Sequence, residues 1–98
     1  MEIEGAIAIA EALQKNNTLK ILDIGLNRLR ARGAEAIAKM LAVNTTLERI
    51  GLKHNRIADV QGMTIARTIV SNKNSSIKYI ALAGNFLSVP IRSEIALL

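Results

Sequence analysis

The chain has no cysteine and no tryptophan, and its 98 residues include only one tyrosine, one phenylalanine, one proline and one histidine. Each scarcity closes something off. Without cysteine there are no disulfides and no thiolate metal sites, which fits a reducing compartment and makes the cytoplasm the expected location. With His54 as the sole histidine, neither a His-x-x-x-His metal pair nor a histidine-bearing catalytic triad can be assembled. There is no P-loop and no Gly-x-Gly-x-x-Gly. None of the eight carboxylates is set by sequence beside a second in an apolar pocket, as paired acid/base work requires. Enzyme activity, a metal, a cofactor and a small-molecule substrate are therefore not expected. No apolar run approaches the ~20 residues of a membrane span. Met1 to Gly5 is too acidic to open a signal peptide, so no membrane partner is expected.

What is present is repetition. Leu19, Leu22, Ile24, Asn27 and Leu29 recur 28 residues later as Leu47, Ile50, Leu52, Asn55 and Ile57, and 30 residues later again as Ile77, Ile80, Leu82, Asn85 and Leu87. A period of this size marks a solenoid, in which each repeat is one supersecondary unit that buries its apolar face against its neighbours. Half the residues are hydrophobic although aromatics are nearly absent, so the core is aliphatic: Leu, Ile and Ala in repeated slots. A single domain is expected over residues 1–98, divided into a partial repeat (1–18), two full repeats (19–46 and 47–76) and a truncated one (77–98).

Within each repeat two periodicities alternate. Ala6, Ile9, Ala10 and Leu13 are spaced to form one helical stripe, repeated by Ala34, Ile37, Ala38 and Leu41 and by Gly62, Ile65, Ala66 and Ile69. The small residues suit a helix that returns closely behind its own strand. The first helix is expected over Gly5 to Lys15. Asn16, Asn44 and Asn72 follow the helices at one offset, where a short amide can cap freed carbonyls and tolerate a left-handed backbone. Each begins a triplet that also fits the glycosylation pattern, or in the last case stands two residues before one, and turn chemistry explains all three. The alternation in LDI, RIGLK and YIALA is that of strands with one face buried: Ile24, Leu52 and Leu82 inward, Asp23, Gly51 and Ala81 outward. Strand, loop, helix and turn in series give a parallel sheet. Asn27, Asn55 and Asn85 stand where the chain leaves that sheet, and are assigned a structural role: bonding backbone groups the ladder no longer satisfies.

LxxLxLxxNxL followed by G-A-x-A-I-A-x-x-L and N-T-T-L resembles the leucine-rich repeat in its long, helix-containing, ribonuclease-inhibitor-like form. Related repeats occur in tropomodulins, in activators of the Ran GTPase and in NOD-like receptors. The resemblance implies an α/β fold, a right-handed horseshoe segment with a three-stranded parallel sheet on the concave face and helices on the convex face. It also implies cytoskeletal, GTPase-regulatory or immune-sensor partners. Three departures stand out. The strand cysteine frequent in ribonuclease inhibitor and vertebrate receptor repeats is missing. Lys73-Asn74 reads as a two-residue insertion. Pro90 and Arg92 interrupt the last helical stripe, so that helix is expected to begin late or pack differently.

The formal charge of +5 matters only if it is gathered on one surface. Arg30 and Arg32 lie 28 residues after Glu2 and Glu4, and Lys39 the same distance after Glu11, so opposite charges are expected to stack in adjacent repeats. Arg28, Arg49, Lys53, His54 and Arg56 are left on or beside the open sheet face. Ile21, Asp23, Leu26, Tyr79 and Phe86 project from the same face, although Leu26 and Phe86 could instead fold back over the loop. Arg and aromatic residues on one surface have the composition of an interaction hot spot. The expected function is a protein–protein interaction module whose partner, with an acidic surface, sits on this face and its Arg-rich loop edge. Nucleic acid is not expected. The alternatives are a structural segment of a larger repeat protein or assembly, and a regulator of a GTPase or cytoskeletal protein. Because the repeats are cut at both ends without polar caps, a fragment that self-associates or is marginally stable is also expected.

Overall fold

The computed structural model describes residues 3–86, in the order α1 (Ile3–Leu13), β1 (Ile21–Asp23), α2 (Arg30–Val43), β2 (Arg49–Gly51), α3 (Asp59–Ser71) and β3 (Tyr79–Ala81). The strands form one parallel sheet in the order β1-β2-β3, with Ile21 opposite Arg49 and Arg49 opposite Tyr79. This register reproduces the 28- and 30-residue shifts of the sequence. It follows from the period of two: a slip by one residue would turn Leu22, Ile50 and Ile80 out to solvent and bring Arg49 into the core.

The core lies between the sheet and the helices. From the sheet side Ile24, Leu47, Ile50, Leu52 and Ile57 are buried, and from the helix side Ala34, Ile37, Leu41 and Ile65. A fully buried Ile such as Ile37 contributes roughly 1.5–3 kcal/mol relative to exposure. The small stripe residues Ala6, Ala10, Ala34, Ala38, Gly62 and Ala66 are all buried where the helices pack. Met40 is buried as well and widens the face of α2 beyond the expected stripe.

Several details depart from expectation. α1 ends at Leu13, because Gln14 N–H is shared between the carbonyls of Ala10 and Glu11 and the chain tightens into a turn before Asn16. Asn44 and Asn72 are extended, not left-handed. Their amides cap instead across repeats: Asn44 Nδ2 donates to Leu13 O at 2.8 Å and Asn72 Nδ2 to Leu41 O at 2.9 Å, each at the C-terminal end of the preceding helix. Asn44 Oδ1 meanwhile accepts from the N–H groups of Thr46 and Leu47, turning the chain into β2. After α3 the inserted Lys73-Asn74 forms a turn, and Ser75 Oγ takes over the bond to the Ile77 N–H.

The charge pairing also differs. Glu4 and Arg32 form no ion pair, and Glu11 and Lys39 line one groove between α1 and α2 without bonding. Among the described residues the ion pairs are Lys20–Glu48 and Lys78–Glu48, three side chains at one position of successive repeats. Long side chains on a convex surface splay apart, whereas those beside the strands are held at strand spacing. Pro90, Arg92, the final helix and Glu2 lie outside the described residues.

Candidate functional site: the open sheet face and its loop edge

Strand pairing sets the outward side chains in rows across the repeats. Ile21, Arg49 and Tyr79 make the first row, and Asp23, Gly51 and Ala81 the second. Ile21 is 61% exposed and Tyr79 55%, with the Arg49 guanidinium 6.0 Å from the Tyr79 ring centroid, at the outer reach of a cation–π contact. In the second row the Asp23 carboxylate lies beside Gly51, so close that a Cβ there would crowd it, and it accepts the Gly25 N–H at 3.0 Å. Ala81 was expected to face outward, and its register does so, yet it is only 8% exposed. A single methyl does not rise above the side chains two residues away on the same face.

Beyond the strands the chain bends into the loop edge, and three asparagines hold that bend. Asn55 Oδ1 accepts the N–H groups of Asn27 (2.9 Å) and Leu29 (3.4 Å), and Asn85 Oδ1 accepts those of Asn55 (2.8 Å) and Ile57 (2.9 Å). The donor side completes the ladder: Asn55 Nδ2 reaches Ile24 O at 3.0 Å and Asn85 Nδ2 reaches Leu52 O at 2.8 Å, both one repeat back. For alternate N–H groups to converge on one oxygen, the backbone must curl. Arg28 and Arg56, each between two converging N–H groups, accordingly have φ 51° and 58°; Leu26, His54 and Gly84, each one residue before an asparagine, and Arg30 are left-handed as well, at φ 63°, 54°, 76° and 54°. Left-handed backbone at a non-glycine residue costs roughly 1–2 kcal/mol, which the asparagine bonds offset. The same curl lifts the side chains of Arg28, His54 and Arg56 outward, where all three are exposed.

Strand pairing sets Ile21, Asp23, Arg49 and Tyr79 on this face, and Leu26, Arg28, Lys53, His54, Arg56 and Phe86 are exposed in the loops that follow the strands. Arg49, Lys53, His54 and Arg56 come from one repeat, with Arg28 on the repeat before. Leu26 is 77% exposed and Phe86 65%, so neither folds back as packing. Phe86 is anchored through its backbone instead, its N–H donating to Ile57 O. Among the described residues no three metal-ligating side chains come together, and no helix is long and apolar enough to cross a membrane.

A family profile described as Leucine Rich repeat matches residues 15–38. The leiomodin-1 Actin-Binding Site 2 structure is similar to this chain at TM-score 0.84 and 24% identity, covering 99% of this chain and 56% of that one. The tropomodulin C-terminal domain from Caenorhabditis elegans is similar at TM-score 0.70 and 15% identity, covering 95% and 54%. The chain spans about half the length of each. No curated protein matches it in sequence. At such identities the likeness is one of fold, and it agrees with the strand register and asparagine ladder: the chain has the leucine-rich repeat fold in its helix-containing form, an α/β solenoid with an open parallel sheet.

Proposed function

We propose that the chain is a cytoplasmic, non-catalytic protein-binding module that takes its partner on the open sheet face and the adjoining basic loop edge. The observation that carries this is the first row of the sheet, where exposed Ile21, Arg49 and Tyr79 stand side by side on a rigid ladder. Aromatic and Arg side chains held this way lose little further freedom on binding, which suits them as anchors. The second support is the cationic edge, which favours a partner with an acidic surface.

Actin is the first partner to test, since one structure of the same fold is an actin-binding site. The account expects the 98-residue chain to bind actin saturably, and more weakly as salt rises, because exposed charges are screened beyond ~10 Å at 0.1 M. Arg49→Glu together with Tyr79→Ala should abolish that binding with the circular dichroism spectrum unchanged, and Lys39→Glu on the helix face should leave it intact. Equal loss from both faces would overturn the assignment. Absence of saturable binding would remove the cytoskeletal reading.

A further inference from the structure

The middle repeat shows what a filled joint between repeats looks like, and the first joint falls short of it in the same slots. Ile37, Leu47 and Ile50 are fully buried, whereas 28 residues before them Ile9 and Leu22 are only partly covered and Leu19 is 38% exposed. The polar side chains show the same contrast. Asn55 Oδ1 accepts two N–H groups of the repeat before it, and Asn44 Nδ2 and Asn72 Nδ2 each donate to two carbonyls there. One repeat earlier, Asn27 Oδ1 and Asn16 Nδ2 have no partner among the described residues, and Asn27 Nδ2 turns back onto its own loop.

The backbone of β1 repeats the contrast. β2 turns Arg49 and Gly51 toward β1: Arg49 N–H donates to Lys20 O at 3.0 Å, and Gly51 O accepts the Ile24 N–H at 2.9 Å. With Lys20 and Ile24 bonded to β2, alternation along the strand turns the peptide groups of Ile21 and Asp23 to the opposite edge. Behind that edge lies α1, packed against α2 with no strand of its own repeat in front of it among the described residues. A helix brings its peptide groups already paired, whereas an extended chain has a row of them to offer such an edge. The middle repeat shows which ones are needed. There Leu52 N–H donates to Ala81 O, His54 N–H to Ala83 O, and the N–H groups of Asn55 and Ile57 to Asn85 Oδ1. Asp23 O, Gly25 O and Asn27 Oδ1 hold the same places two repeats before, and Lys20 holds the place of Lys78, which pairs with Glu48.

We propose that the free edge of β1, with α1 behind it, takes an extended segment of a partner protein, which joins the sheet as a parallel fourth strand ~4.8 Å from β1. The segment carries apolar residues at two alternate positions, which cover Ile9 and Leu22, and an acidic residue ahead of them, which faces Lys20. After them it bends and brings two N–H groups to Asn27 Oδ1. It runs parallel because both existing joints do, and because Asn27 lies past the C-terminal end of β1, where that bend must fall. Main-chain hydrogen bonds supply the affinity and the two apolar residues the selectivity. This edge is a different surface from the open face, and neither assignment depends on the other.

The test uses a peptide with those features, residues 47–57 of this chain with blocked ends, titrated into the isotope-labelled 98-residue chain. Amide NMR shifts should centre on α1, β1 and Asn27, and hydrogen exchange of the Ile21 and Asp23 N–H groups should slow. N-methylation of the peptide at Leu52 and His54 removes donors that face β1 and should weaken binding about tenfold or more, the scale of two net hydrogen bonds. N-methylation at Gly51 and Lys53, whose N–H groups face the other way, should leave it unchanged. In the chain, Asn27→Ala should weaken binding about tenfold, again two bonds, and Asn27→Asp, which keeps the acceptor, should restore most of the loss. Equal losses from the two methylated peptides, unchanged exchange at Ile21 and Asp23 on saturation, or no shifts at millimolar peptide would overturn the proposal. Shifts centred on the outward side chains of β2 and β3 would overturn it as well and leave the open face standing as the contact surface.

Discussion

Replacing Asn55 with alanine probes the joint between fold and face, because this fully buried side chain ties three elements together. Its Oδ1 accepts from Asn27 N–H and Leu29 N–H, and its Nδ2 donates to Ile24 O and Lys53 O. The carbonyls are insured: Ile24 O also receives Asn27 Nδ2 at 2.7 Å, and Lys53 O also receives the Leu26 N–H at 2.9 Å. The loss therefore falls on two backbone N–H groups in a buried loop. At about 1–3 kcal/mol per orphaned group, reduced for the long 3.4 Å bond to Leu29, the substitution should cost about 2–4 kcal/mol. Asn27→Ala removes only donor bonds, to Ile24 O and Gly25 O, and Ile24 O keeps its bond from Asn55, so it should cost about 1 kcal/mol or less. Urea unfolding followed by far-ultraviolet circular dichroism measures both. A loss at Asn55 below about 1 kcal/mol, or equal losses at the two sites, would refute the reasoning.

Two further substitutions test the packing between repeats. Thr46 Oγ1 is buried without a hydrogen-bond partner, so Thr46→Val should leave stability unchanged or raise it by up to about 1 kcal/mol in thermal unfolding, whereas a hydroxyl in use would lower it. A Cβ on Gly84, at φ 76°, would fall on the His54 imidazole, so Gly84→Ala should lower stability by about 1–3 kcal/mol. Adding His54→Gly should recover part of that loss, and strict additivity of the two changes would mean that they do not touch.

The register was legible because period-two burial and a repeated leucine frame admit one alignment, and Ile21, Arg49 and Tyr79 fell into one row as a consequence. The role of Asn27, Asn55 and Asn85 was legible in kind, since a polar residue at a sheet exit must answer to backbone groups. Its reach into the preceding repeat was not, because sequence spacing fixes position and not which strand's carbonyl lies nearest. The left-handed backbone was expected at the helix-ending asparagines and is found at Leu26, Arg28, Arg30, His54 and Arg56 instead. Those residues have no such preference; at Arg28 and Arg56 the convergence of the flanking N–H groups on Asn55 and Asn85 imposes it. The pairing of Lys20 and Lys78 with Glu48 was available from the same repeat arithmetic that suggested Glu11 with Lys39. What separates the two is side-chain splay on the helix face, which spacing alone does not carry.

Photo-cross-linking tests the central claim without presupposing a partner. A benzophenone amino acid is placed at Tyr79, where it keeps an aromatic ring on the open face, or at Lys39 on the helix face, in chains that retain the circular dichroism spectrum of the parent. On irradiation in cell extract, the account predicts a discrete protein adduct from the Tyr79 position, diminished by Arg49→Glu, and none above background from Lys39. Adducts of equal yield from both positions, or from Lys39 alone, would contradict it.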